Sequence, residues 1–110
     1  MPSKIIEIEI MKIASEAALG VPGVSSMDKA LRDGIPIIRR KIRGVSVSAG
    51  KDGIIIELYI NVVYGSRIPH IAWEVQQAVK YAVTDSLNVE IKAVNVHVQG
   101  VEPERKMTDD

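Results

Sequence analysis

His97 is the residue in this chain best equipped for chemistry, because an imidazole titrates near neutral pH and can act as base, acid or metal ligand. It lies in Val94-Asn95-Val96-His97-Val98-Gln99-Gly100-Val101, where valines alternate with polar residues in period two. The run from Gly53 to Gly65 alternates in the same way. Ile54, Ile56, Leu58, Ile60, Val62 and Tyr64 fall on one face, and Glu57, Tyr59 and Asn61 on the other. A strand of that period turns one face to a core and the other to water. Asn95, His97 and Gln99 are therefore expected to share a polar sheet face with Glu57, Tyr59 and Asn61, with Ser46 and Ser48 placed to join them. Nucleophilic catalysis would need the histidine paired with a nucleophile and an orienting carboxylate. Glu57 is the one carboxylate the pattern brings there, and no catalytic constellation accompanies it. Two readings fit this face. One is a solvated surface with cross-strand polar pairs. The other is a contact surface for self-association or a partner, with Tyr59 and His97 as amphipathic anchors and Ile55 and Val63 adding apolar area.

A second cluster, Arg39-Arg40-Lys41 with Arg43, places four positive charges in five residues. Such a loop can grip phosphate, in RNA or in anionic headgroups, and it can equally be an ordinary solvated loop. The rest of the composition argues against a nucleic-acid-coating protein. Lys+Arg and Asp+Glu both total 14, for a formal net charge of zero, whereas coating nucleic acid means neutralising many phosphates. Stacking aromatics are sparse, at three Tyr, one Trp and no Phe. The chain contains no cysteine, which excludes disulfides, thiol redox chemistry and thiolate zinc sites. Its two histidines do not suffice for a histidine-only metal site. No phosphate-cradling glycine loop or nucleophile elbow occurs. These observations predict no catalytic residues, no metal, no cofactor and no small-molecule substrate.

The elements that must hold the polar face can be read in turn. A length of 110 residues is one domain by size, taken here as 1–101 followed by a polar tail over 102–110. Residues 7–19 read as a helix, with Ile10, Ile13, Ala14 and Ala17 at helical spacing. The preceding Ile5 to Ile10 stretch also alternates in period two. Gly20 is expected as a left-handed cap, and Pro22 ends the helix. Met27 to Leu31 suggests a short helical turn. Val45, Val47 and Ala49 alternate with serines, and Gly50-Lys51-Asp52-Gly53 supplies a hairpin turn. A long strand follows from Ile54 to about Tyr64. Pro69 suits a first helical turn, and Ile71, Val75, Val79 and Val83 continue a stripe to Leu87. Trp73 is expected at the edge of that stripe, the alternative being an exposed anchor for a partner. Asn88 is a C-cap candidate, and the last strand covers about Val89 to Val98. The prediction is an α/β (α+β) two-layer sandwich in the order α-β-β-α-β, with two helices on one face of a three-stranded mixed sheet. No apolar run approaches the roughly 20 residues that span a bilayer, and the start of the chain has no signal-peptide core. The expectation is a cytoplasmic protein without direct membrane insertion.

Three segments resemble the alkaline shock protein family of bacterial envelope stress response proteins, found mainly in Gram-positive bacteria. Lys12 to Val24 looks like its opening helix and Val-x-Gly-Val turn. Asp52-Gly53 with Ile54 to Gly65 resembles its central strand ending in Tyr-Gly. Val75-Gln76, Val79-Lys80 and Val83, with the Val-Asn-Val-His-Val-x-Gly-Val ending, look like its second helix and last strand. The likeness covers about residues 8–101. It implies a small non-enzymatic cytoplasmic protein that acts through protein–protein contacts; some members associate with themselves and sit beneath the membrane on a membrane-anchored partner, and others are housekeeping members without a settled role. The alternative that stays open is a small RNA-associated module using Arg39, Arg40, Lys41 and Arg43.

Overall fold

The computed structural model describes residues 4–27 and 44–103. The elements are α1 (Lys4–Leu19), β1 (Val24–Met27), β2 (Val45–Gly50), β3 (Gly53–Val63), α2 (Ile68–Leu87) and β4 (Ile91–Glu102). The α+β two-layer sandwich with both helices on one side is the architecture that the apolar patterning predicts. Its sheet is mixed. β2 and β3 form an antiparallel hairpin closed by Lys51 and Asp52, with Gly50 opposite Gly53. β4 runs parallel to β3 along almost its whole length, from Ile54 beside Ile91 to Val63 beside Glu102. Parallel neighbours need a long crossover, and α2 provides it.

The sheet has four strands rather than three, in the order α-β-β-β-α-β. The added strand is β1, antiparallel to β3 with Val24 beside Val62 and Met27 beside Ile60. Because β4 fills one edge of β3, β1 and β2 share the other edge end to end. Met27, expected to open a helical turn, instead closes this strand; residues 28–31 of that reading lie outside the described residues, as do Arg39, Arg40, Lys41 and Arg43 of the basic loop. The left-handed residue is Gly23, at φ +103°, and not Gly20. Gly20 stays close to helical geometry and donates its N–H to Glu16 O at 3.1 Å. At Gly23 the chain reverses onto the edge of β3, where its carbonyl accepts from Val63 N at 2.9 Å. A side chain there would also collide with Ile71.

The core follows the alternation. Ile54, Ile56, Leu58, Ile60 and Val62 of β3 are buried, with Val45 and Val94 from its neighbours. From above, α1 supplies Ile10, Ala14 and Ala18, and α2 supplies Ile71, Val75, Val79 and Val83. Both stripes have a spacing of four, which keeps them on one helical face. The alanines on α1 let the two helices pack side by side. The helix starts at Lys4, not at residue 7; the alternating isoleucines belong to its first turns, and Ile10 alone of them is fully buried. α2 has Pro69 in its first turn and Asn88 as a left-handed C-cap at φ 53°, whose N–H reaches Thr84 O. β3 ends at Val63, so Tyr64 leaves the dry face and stands 77% exposed in the turn. β4 begins and ends later than expected and takes in Glu102, which the sequence reading assigned to the tail.

Ile55 and Ile56 differ only in the face they occupy, one half-buried and the other fully buried. Ile56→Ala should cost about 2–5 kcal/mol of unfolding free energy, with Ile55→Ala clearly cheaper. Urea denaturation of the two variants measures the difference, and equal losses would contradict the assignment of faces.

Candidate functional site

The face of the sheet away from the helices carries the polar residues, and register decides which of them meet. In the parallel β3–β4 pair, Glu57 stands beside Asn95 and Tyr59 beside His97. Tyr59 and His97 consequently stack, with ring centroids 4.6 Å apart and planes 13° from parallel. His97 Nε2 lies 2.5 Å from Glu57 Oε1, and Asn95 Nδ2 donates to Glu57 Oε2 at 3.0 Å. A carboxylate only accepts, so the short contact requires the imidazole proton on Nε2. Glu57 is thus held at both oxygens. The hydrogen bond from His97 and then the one from Asn95 keep its carboxyl below the ordinary value of 4.5, while desolvation works weakly against them. Both side chains remain wet, at 46% exposure for His97 and 30% for Glu57. Ser46 on β2 stands beside Glu57 from the other edge, and Ser48 beside Ile55.

Asn61 and Gln99 were expected to extend this row, but they separate. The β3–β4 register slips between Ile60 and Asn61, which makes Gln99 the extra residue of a bulge and puts Gly100 beside Asn61. The bulge suits a glycine, because a Cβ on Gly100 would come within 2.7 Å of Asn61 Oδ1. Asn61 turns instead to β1 and donates to Ser26 Oγ at 3.0 Å. Ser25 Oγ donates to Glu102 Oε1 at 2.7 Å, and Ser26 Oγ to Glu102 Oε2 at 3.3 Å. This second network ties the two strands that flank β3 across its polar face. Glu57, Tyr59, Asn95 and His97 form one cluster, Asn61 and Glu102 belong to another, and Gln99 stands exposed between them.

Comparison with known proteins agrees with this framework. Residues 3–103 match the alkaline shock protein 23 family, which is described as having a cell envelope-related function. The chain belongs to that family. YloU, an uncharacterized protein of Bacillus subtilis, is 38% identical over 98 residues, covering 84% of this chain and 81% of YloU. YqhY of the same organism is 31% identical over 97 residues, covering 86% of this chain and 72% of YqhY. Among solved structures, a MamM CTD spanning 84% of this chain and 96% of its own length has a TM-score of 0.52 at 19% identity. A zinc form of MamM CTD covers 93% of this chain and 89% of itself, again at a TM-score of 0.52, with 20% identity. Those two likenesses show the fold alone.

Within this family member, the described residues contain no cluster of three or more His, Cys, Asp or Glu side chains able to hold a metal. No described helix is long and apolar enough to cross a membrane. The histidine is engaged by a carboxylate and an aromatic ring, and among the described residues no hydroxyl bonds to it. The sequence reading missed the Ser25–Ser26–Glu102 network. Its signal was the Ser-Ser pair before Met27, but four residues are too few to show a period.

The depressed carboxyl of Glu57 fixes the sign of a pH effect. Its folded value lies below its unfolded one, so its stabilisation is complete above the unfolded value and is lost as pH falls through the folded value. With both partners partly exposed, the contribution is roughly a few tenths of a kcal/mol. Glu57→Gln should therefore lose less stability than the wild type between pH of about 5 and about 3. Thermal melts across that range test it, and parallel curves would contradict the pairing.

Proposed function

We propose that this protein is a non-enzymatic scaffold of the cytoplasmic side of the cell envelope. Through the open face of its sheet it associates with copies of itself and with a membrane-anchored protein. The observation that carries this reading is the Tyr59–His97 stack, seated on the face of the sheet away from both described helices. Aromatic groups with a polar edge are enriched where proteins meet, and a rigid stacked pair loses little side-chain freedom on binding.

The surrounding polar groups favour the same use. A lone carboxylate on a contact surface opposes association, because it must shed water without compensation. Glu57 already has hydrogen bonds at both oxygens, so a partner covers a satisfied network. Half-buried Ile55 and Val63 widen the apolar share of the face. A stable contact of ordinary size covers about 800 Å² on each partner, which calls for Tyr59 and His97 at its centre and the Asn61–Glu102 network towards its rim. Chemistry of the histidine is disfavoured by its commitment to Glu57 rather than to a nucleophile. The family's envelope-related function supports the setting. The names of YloU and YqhY assign neither an activity.

Sedimentation velocity over a concentration series tests the proposal. Wild-type protein should assemble with rising concentration, and the Tyr59→Ala/His97→Ala double variant should need at least about tenfold more protein to do so, a change of about 1.4 kcal/mol. Its circular dichroism should be unchanged, since both side chains lie outside the core. Equal assembly of the two proteins, or a wild type that stays monomeric throughout, would overturn the reading.

A further inference from the structure

α2 has a second face that the core does not use. At about 100° per residue, Trp73 stands two residues from both Ile71 and Val75, which rotates it to the far side of the buried stripe. The structure accordingly leaves it 56% exposed instead of at the core edge, and Tyr81, two turns on, 72% exposed. Trp73 is the only tryptophan of the chain. A tryptophan carries one of the largest apolar surfaces of any side chain, and leaving that much of it in water gives the fold nothing.

Trp73 also lines a shallow, open groove of about 480 Å³ between the end of α1 and the first half of α2. Ala17, Val21, Pro22 and Ala78 supply its apolar lining. The ionisable residues that line it are both acidic, Glu16 from α1 and Glu74 from α2. His70, one turn before Glu74, lies 3.3 Å from its carboxylate and is itself largely exposed; Glu16 has no such neighbour among the described residues. An occupant complementary to this lining is apolar where it meets the alanines, Val21 and Pro22 and positively charged where it meets the two carboxylates. A planar guanidinium satisfies both demands, since it stacks on an indole face while its N–H groups pair with carboxylates. An ammonium group is a poorer fit, being more strongly hydrated.

We propose that the Trp73 groove is a docking site for an arginine-bearing, otherwise aliphatic segment of a partner protein, with the guanidinium held between Trp73 and the Glu16 and Glu74 carboxylates. This goes beyond the sheet-face reading and does not depend on it. The groove lies in the helical layer, on the side of the molecule opposite the Tyr59–His97 face, so one copy can hold a client there while the sheet face is occupied.

Trp73 reports on its own groove. A short amidated peptide of leucine, alanine and arginine is titrated against the full chain while tryptophan emission is followed. The same peptide with citrulline for arginine keeps the shape and removes the charge. The expected result is a saturable blue shift with the arginine peptide. Binding should weaken by at least about fivefold both with the citrulline peptide and in the Glu16→Gln/Glu74→Gln variant, and should be unchanged in Tyr59→Ala/His97→Ala. Circular dichroism of the glutamine variant, altered only at the two groove carboxylates, establishes that it is folded. No saturable shift up to about 1 mM peptide, or equal binding of the citrulline peptide, would overturn the proposal. So would a shift driven by protein concentration alone, because the groove would then be filled by a second copy.

Discussion

The eleven residues of β3 have hydrogen-bonded neighbours on both edges, so the parity of this one strand decides which side of the entire sheet is dry. Its even-numbered residues from Ile54 to Val62 face the helices and are all buried. A slip of one residue would exchange that set for Ile55, Glu57, Tyr59, Asn61 and Val63 and force a carboxylate and an amide into the core, at a cost of several kcal/mol each without partners. The same constraint that protects the core therefore delivers Glu57 and Tyr59 to the open face. β4 then brings Asn95 and His97 beside them. The polar cluster is a consequence of register before it is anything else.

Helix α2 serves both sides of this arrangement. As the crossover it makes β3 and β4 parallel and so sets Tyr59 beside His97. As a layer it covers the valine face with a stripe from Ile71 to Val83. Gln76 adds a direct tie, donating from Nε2 to Val94 O at 3.0 Å. The bulge at Gln99 and the Ser25–Glu102 and Ser26–Glu102 bonds close the far end of the sheet. Among the described residues, the two helices leave open the polar surface of the sheet and the groove beside Trp73. The groove carries the exposed Trp73 ring and the sheet face the half-buried Tyr59 ring, a side-chain type with a large apolar area to bury on contact.

Much of this was legible in the residues, and the exceptions have physical causes. Period-two alternation is long and strict in β3 and β4, so the faces and the membership of Glu57, Tyr59, Asn95 and His97 could be read directly. The contacts among them could not, because a register between strands separated by a helix has no local signature. Asn61 and Gln99 shared the pattern with their neighbours, yet a single inserted residue before Gly100 parted them. β1 escaped notice because four residues do not establish a period and its pairing is entirely with β3. The exposure of Trp73 was present in its spacing from Ile71 and Val75 and in Gln76 and Gln77 as its neighbours on the helix, which place it beyond the edge of the stripe. The isoleucines from Ile5 to Ile10 alternate like a strand, but helix propagation from α1 overrode a short local pattern.

Hydroxyl-radical footprinting at increasing protein concentration tests the central claim most directly, because it reads Tyr59, His97 and Trp73 in one sample. If the open sheet face is where copies of this chain meet, Tyr59 and His97 lose reactivity as the protein assembles while Trp73 keeps its own. Protection of Trp73 with Tyr59 and His97 unchanged would contradict the account and move the contact to the helical layer.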